Sequence, residues 1–246
     1  FSSADIADMV REASLISIRN KHEAVTYRDL SEAYDRVIFG LKSGIILSEK
    51  EKIWTAYHEA GHAIIAYLTH PTDDVVKASI IPRKGALGFV GHRPVEELYT
   101  QNRERLLAAI KLSIGSYVAE NIKFGSTSSG VESDFAYAMS VAHNMVWRWG
   151  MGKSGFLGNF YALSRGYSTW GGDVPQLSEK TMAALDDDTQ AILQDCLKEA
   201  QEILTKERDL LEYFAQELLK KEELEYDEIV EIFTKYGKTR PHPVSN

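Results

Sequence analysis

Residues 48–69 read SEKEKIWTAYHEAGHAIIAYLT, and the helix they predict is the element around which the rest of the chain is organised. Ser48 and Glu51 stand three apart, the spacing of a capping box, so a helix is predicted to open here and run to about Thr69, ahead of Pro71. Ile53, Trp54, Tyr57, Ile64, Ile65 and Leu68 give that helix an apolar side. Inside it, His58-Glu59-Ala60-Gly61-His62 sets two imidazoles at i and i+4 on one face, where both can reach a single zinc ion. Glu59 follows the first of them and is placed to take a proton from water at an open coordination position. With only seven His in 246 residues, chance is a weak explanation of the pattern. Gly61 costs the helix about 1 kcal/mol relative to Ala. Either a backbone segment comes close to the metal there, or two helices pack tightly.

A zinc site needs a third protein ligand. Ile65 and Leu68 occupy the positions where an extended metzincin motif carries Gly and His, so the ligand must come from elsewhere. Candidates are His70, His92, Glu96, Glu97, Glu104, Glu120 and Asp134. His70 precedes a helix-breaking Pro, and Glu96-Glu97 has the look of a first helical turn. Asp134 follows the run Gly125-Ser126-Thr127-Ser128-Ser129-Gly130. It is either an N-cap or a ligand delivered by that loop, and its position in the chain does not choose between the two.

Outward from this core the chain reads mainly as helix. Ser3 to Asn20 and Thr26 to Phe39 have helical periodicity, the second opened by a Thr/Asp capping signal, and 40–47 is a linker containing Gly40, Ser43 and Gly44. Val75 to Ile81 and Leu87 to Val90 are β-branched or Gly-punctuated extended pieces, enough for a small sheet. Helix is expected again over Glu96 to Phe124, Asp134 to Trp149, Ser178 to Lys220 as one or two segments, and Asp227 to Tyr236. Tyr161 to Pro175 is Gly-rich and aperiodic, and 239–246 reads as a mobile tail. Gly150 to Gly155 contains GxGxxG and Gly-Lys-Ser. No strand pattern precedes it, and Trp147 occupies the first Gly of a phosphate loop, so neither nucleotide motif is real.

Composition narrows the function. The 246 residues are 44% hydrophobic and 26% charged, with 28 Lys plus Arg against 36 Asp plus Glu and a formal charge of −8. That balance fits a folded, water-exposed protein, and without a basic cluster nucleic acid is not an expected partner. The single cysteine, Cys196, allows neither an internal disulfide nor a thiolate zinc module. No apolar run reaches the roughly 18 residues of a membrane span. The opening Phe1-Ser2-Ser3-Ala4-Asp5 has no initiator Met and no signal-peptide character, so a fragment of a longer chain is expected.

The ordered motifs resemble the FtsH family of membrane-anchored, ATP-dependent zinc proteases. The likeness runs through Phe1 to Ile6 and Glu12-Ala13, Tyr57 to His62, and Ile81-Pro82-Arg83 to Ala86-Leu87-Gly88. It continues through Val118-Ala119-Glu120, Ser129 to Asp134 and Trp149-Gly150-Met151. Ser3, Asn121 and Ser133 depart from residues common in that family. The resemblance implies a mainly α zincin-type peptidase with a small β-sheet over 48–238, preceded at 1–40 by the last helices of an AAA module. It implies that His58, His62 and Asp134 bind zinc, that Glu59 activates the attacking water, and that Glu120 sits near the site with a hydrogen bond to a ligand His. Ala86, Leu87, Gly88 and Phe89 resemble the strand edge on which the family lays extended substrate, with a structural hairpin as the alternative.

The implied substrates are unfolded or membrane-extracted polypeptides, delivered to a homo-hexamer. ATP and Mg2+ are needed only by the full-length protein, and membrane attachment comes only through a segment outside this chain. The fragment itself is expected to be soluble. The whole protein would sit in a bacterial inner membrane, with its soluble domains in the cytoplasm, or in an organelle membrane. A non-catalytic oligomerisation module of the same fold and a small-molecule zinc hydrolase are the competing functions.

Overall fold

A computed structural model describes residues 2–83, 85–94, 100–164 and 177–239. Its contacts divide the chain into two units: Phe1–Ser48 with Ile81–Gly88, and Glu49–Ile80 with Phe89–Asn246.

The first unit is built on helices α1 (Ser3–Arg19) and α2 (Tyr27–Phe39). Each opens with a capping box, Ser2 with Asp5 and Thr26 with Asp29, in which side chains satisfy amides that the first helical turn leaves without partners. Ala13, Ile16 and Ala33 form the small core, with Met9 and Leu30 packed on it. Asp29 is buried and takes hydrogen bonds from the Thr26 amide at 2.9 Å, the Thr26 hydroxyl at 2.7 Å and the His22 ring at 2.9 Å. Beyond α2, buried Arg83 donates to the Gly40 carbonyl and pairs with Asp35, tying 81–88 to the rest of this unit.

The second unit carries α3 (Glu49–Thr69), β1 (Asp73–Ser79), β2 (Phe89–Pro94), α4 (Arg103–Phe124), α5 (Glu132–Trp147), α6 (Phe160–Ser164), α7 (Glu179–Lys206), α8 (Arg208–Lys221), β3 (Glu223–Glu225) and α9 (Tyr226–Lys235). Among the described residues the fold is therefore mainly α with one small antiparallel sheet, ordered β2-β1-β3. Helix α3 is its central element. Ala56, Tyr57, Ala60, Ala63, Ile64, Ile65 and Ala66 are all buried, because α4, α8 and β1 cover the helix from several sides. At its crossing with α4 the two backbones meet at Gly61 and Gly115. A Cβ built at Gly61 would collide with the Gly115 carbonyl and come within 2.7 Å of the Ala119 methyl. The glycine thus serves tight helix packing.

Several boundaries differ from those expected. Helix α4 starts at Arg103, not near Glu96, because the Asn102 side chain accepts the Arg105 amide at 2.9 Å and caps it there. Residues 95–99, with Glu96 and Glu97, lie outside the described residues, as do 165–176 and the tail from 240. Strand β2 starts at Phe89 rather than Leu87. Arg83 and Ala86 exchange backbone hydrogen bonds across a tight turn with Gly85 at φ 90°, so the ladder with β1 begins only at Phe89 opposite Ser79. The stretch 178–220 is two helices broken at Glu207, one of the two arrangements expected, and β3 has no counterpart in the sequence reading. The glycine-rich 150–155 docks on α7, where the Asp188 carboxylate accepts the Ser154 amide at 2.8 Å and its hydroxyl at 3.0 Å. No helix among the described residues is long and apolar enough to cross a membrane.

Candidate metal centre

Helix α3 presents His58 and His62 side by side, and each ring is held through Nδ1. The His58 Nδ1–H donates to Glu120 Oε1 at 2.8 Å, and the His62 Nδ1–H donates to the Leu112 carbonyl at 2.8 Å. A carboxylate and a carbonyl can only accept, so Nδ1 carries a proton in both rings, and in its neutral form each ring presents the Nε2 lone pair. The two Nε2 atoms lie 3.2 Å apart. Asp134 Oδ2 lies 3.3 Å from each of them. Three donors at these separations match the roughly 3.3 Å edge of a tetrahedron whose metal bonds are about 2.0–2.1 Å long. Two neutral imidazoles and a carboxylate are also the ligand chemistry zinc prefers.

Asp134 reaches this point because a single 3-10 turn, Ser129–Val131, leads directly into α5. The turn is capped by Ser128, whose hydroxyl accepts the Gly130 amide at 3.2 Å. Asp134 is consequently in the first turn of α5 and not its N-cap, so its carboxylate turns to the imidazoles. The same oxygen, Oδ2, accepts the Ser116 hydroxyl at 2.7 Å. The loop before it is held by Glu120, which is fully buried. Glu120 Oε2 accepts the Ser128 amide at 2.6 Å and the Thr127 hydroxyl at 3.0 Å, and Oε1 accepts the Ser128 hydroxyl at 3.2 Å.

These contacts explain the electrostatics. Burial works against a charged Glu120, but the hydrogen bonds from His58 and the loop outweigh it and bring its pKa down to about 2. Asp134 is held well below the usual carboxylate range in the same way, by His58, His62 and Ser116 against burial. His58 is also penalised by burial, yet Asp134, Glu120 and the nearby charge of Glu59 lift it to about 10. The pocket is thus arranged to hold positive charge at the corner shared by the two Nε2 atoms. Glu59 is 5% exposed, and burial raises its carboxyl above the ordinary value.

Residues 45–232 match the sequence profile of Peptidase family M41. The chain belongs to that family. Its relatives include three named ATP-dependent zinc metalloprotease FtsH. That of Borreliella burgdorferi is 35% identical over 244 residues, covering 94% of this chain and 37% of the relative. That of Rhodothermus marinus is 39% identical over 235 residues, with 94% and 33% covered. That of Bacillus subtilis is 37% identical over 235 residues, with 93% and 37% covered. The M41 chain therefore spans about a third of the length of these relatives.

Within the described residues of this M41 chain, His58, His62 and Asp134 are the one His/Cys/Asp/Glu group whose donor atoms converge as a metal site would require. The other third-ligand candidates stand elsewhere. His70 Nδ1 accepts the Asp73 amide at 2.9 Å, His92 pairs with the Asp73 carboxylate at 3.0 Å, and Glu104 is exposed in the first turn of α4. Of the four residues of the expected substrate edge, Phe89 lies in β2, an outer strand of the sheet, while Ala86, Leu87 and Gly88 precede it. Two contributors had no place in the sequence reading, the Leu112 carbonyl and Ser116. Their spacing from Glu120 was the available signal, since 112, 116 and 120 recur every four residues along one face of α4.

Proposed function

We propose that this chain is the proteolytic portion of a larger FtsH-type protease, cleaving peptide bonds of unfolded or membrane-extracted proteins. His58, His62 and Asp134 hold zinc, and Glu59 is the general base. The observation that carries this reading is the near-equilateral triangle of His58 Nε2, His62 Nε2 and Asp134 Oδ2 with Glu59 buried beside it. When bound, zinc supplies Lewis acidity toward the scissile carbonyl and makes water a better nucleophile near neutral pH. Glu59 accepts the proton of the attacking water and passes it to the departing amine nitrogen, so one carboxylate serves first as base and then as acid. Glu120 and the Leu112 carbonyl hold the Nδ1–H of each ring, which fixes its orientation so that the neutral imidazole offers Nε2 to the metal. An extended polypeptide lies along Leu87, Gly88 and Phe89, held through main-chain hydrogen bonds that tolerate many sequences, while the Ala86 amide and carbonyl are committed to Arg83.

In the same proposal, 1–40 are the closing helices of an ATPase module, 41–47 the linker, 48–238 the peptidase domain and 239–246 a tail. The start of the family match at residue 45 supports that division. ATP with Mg2+, a homo-hexameric assembly and a membrane anchor belong to the longer protein, and the names of the relatives support the first of these. An intact Glu59 beside the triangle favours an enzyme over a module that only assembles subunits.

Zinc per folded chain, measured by elemental analysis after identical dialysis of wild type and Asp134→Ala, tests the proposal. About one zinc in the wild type is expected. Asp134→Ala should lose affinity by more than the roughly 10- to 100-fold typical when only an outer partner of a ligand is removed. Peptide hydrolysis by the wild type should stop with a chelator and return with zinc. Equal zinc in both proteins would remove Asp134 from the ligand set.

A further inference from the structure

Helix α4 touches each donor of the triangle once, from positions four residues apart. The Leu112 carbonyl holds His62, Glu120 holds His58, and between them Ser116 meets Asp134. We propose that Ser116 is a positioning residue for Asp134, whose hydroxyl fixes Oδ2 as the oxygen offered to the metal and so completes a set of three holds on one face of α4. This rests on the reading of His58, His62 and Asp134 as metal ligands.

The Ser116 hydroxyl has one proton and two acceptors in range, Asp134 Oδ2 at 2.7 Å and the Ser113 carbonyl at 3.2 Å. The first is shorter, and its acceptor is charged, so it takes the proton. Ser116 is fully buried, which leaves little room for water to replace a deleted hydroxyl. Asp134 needs such a hold more than the two histidines do. Its side chain is 18% exposed, its two oxygens are chemically equivalent, and it stands at the start of a helix entered from a Ser/Gly loop. With Oδ2 tethered, one lone pair is committed to Ser116 and another is left facing both Nε2 atoms. Without the tether, either oxygen can turn to the site and the carboxylate samples more rotamers, so part of the binding free energy is spent on ordering it.

The test is a zinc affinity cycle on the whole chain, by competition with a chromophoric chelator, using wild type, Ser116→Ala, Asp134→Ala and the double variant. Ser116→Ala is expected to weaken zinc binding by about 10- to 100-fold in the wild-type background, the range for loss of an outer partner, and by less than about twofold when Asp134 is already Ala. The visible spectrum of the Co2+-loaded Ser116→Ala protein should also differ from wild type, reporting a changed carboxylate, while far-UV circular dichroism stays the same. A loss of equal size in both backgrounds would make Ser116 a packing residue and overturn the proposal. So would an unchanged affinity in Ser116→Ala beside a weakened Asp134→Ala. If Asp134→Ala itself binds zinc as tightly as wild type, the ligand reading fails first and this inference fails with it.

Discussion

Glu59→Gln is expected to keep its zinc and lose peptide hydrolysis, with kcat lower by about 10²- to 10⁴-fold, the range for removing a positioned general base. Glu59 is 5% exposed, and Gln has nearly the same shape, so packing in α3 is preserved. An amide cannot accept the proton of the attacking water, and that is the step the substitution removes. The three donors of the triangle are untouched, so elemental analysis should still find about one zinc per chain. Burial raises the Glu59 carboxyl in the metal-free chain, and a zinc ion beside it would act the other way. A base works only when deprotonated, so wild-type activity should fall on the acid side as Glu59 takes up its proton. The residual activity of Glu59→Gln should lack that limb. Full activity in the variant would sink the assignment, and loss of zinc with loss of activity would make Glu59 a structural residue.

The contrast between Glu59 and Asp134 shows what the sequence made legible. Two imidazoles on one helix face follow from a spacing of four, because 3.6 residues per turn fixes their relation within a single element. Asp134 is 72 positions beyond His62, and whether it capped a helix or faced the histidines depended on the crossing of α4 and α5, which local pattern does not encode. The two accounts of Gly61 were undecided for the same reason, since only the arrangement of helices shows Gly115 opposite it. Strand β3 was invisible for another cause. Glu223-Leu224-Glu225 is three residues long, too short for alternation to register, and it exists because Glu222 at φ 64° turns the chain out of α8 and along β1. Ser116 shows that a helix face can be read too narrowly. Glu120 drew attention as a charge, while a hydroxyl one turn earlier on the same face did not.

Gly61→Val is expected to be the most damaging single substitution for stability, at more than about 4 kcal/mol, with Gly61→Ala losing about 1–3 kcal/mol. In an isolated helix the Ala change would be favourable by about 1 kcal/mol, so the predicted sign is opposite to propensity. The reason is what lies opposite. A Cβ at Gly61 would stand 2.8 Å from the Gly115 carbonyl carbon and 2.7 Å from the Ala119 Cβ, closer than atoms can pack. Backbone and a methyl group have no alternative rotamer, so relief requires α3 and α4 to move apart. Val adds two further carbons at the crossing, and the required movement grows. That movement acts on the metal site, because the 2.8 Å bonds from His62 to the Leu112 carbonyl and from His58 to Glu120 both join α3 to α4. Zinc affinity should therefore fall together with the melting temperature of the metal-free chain in Gly61→Ala. The reciprocal Gly115→Ala, whose Cβ would lie 2.8 Å from the Gly61 carbonyl oxygen, should behave alike. Combining them should cost less than the sum, since once the helices have separated the second methyl meets a gap already opened. A Gly61→Ala protein as stable as wild type, or a strictly additive pair, would mean that the two backbones do not meet at this crossing.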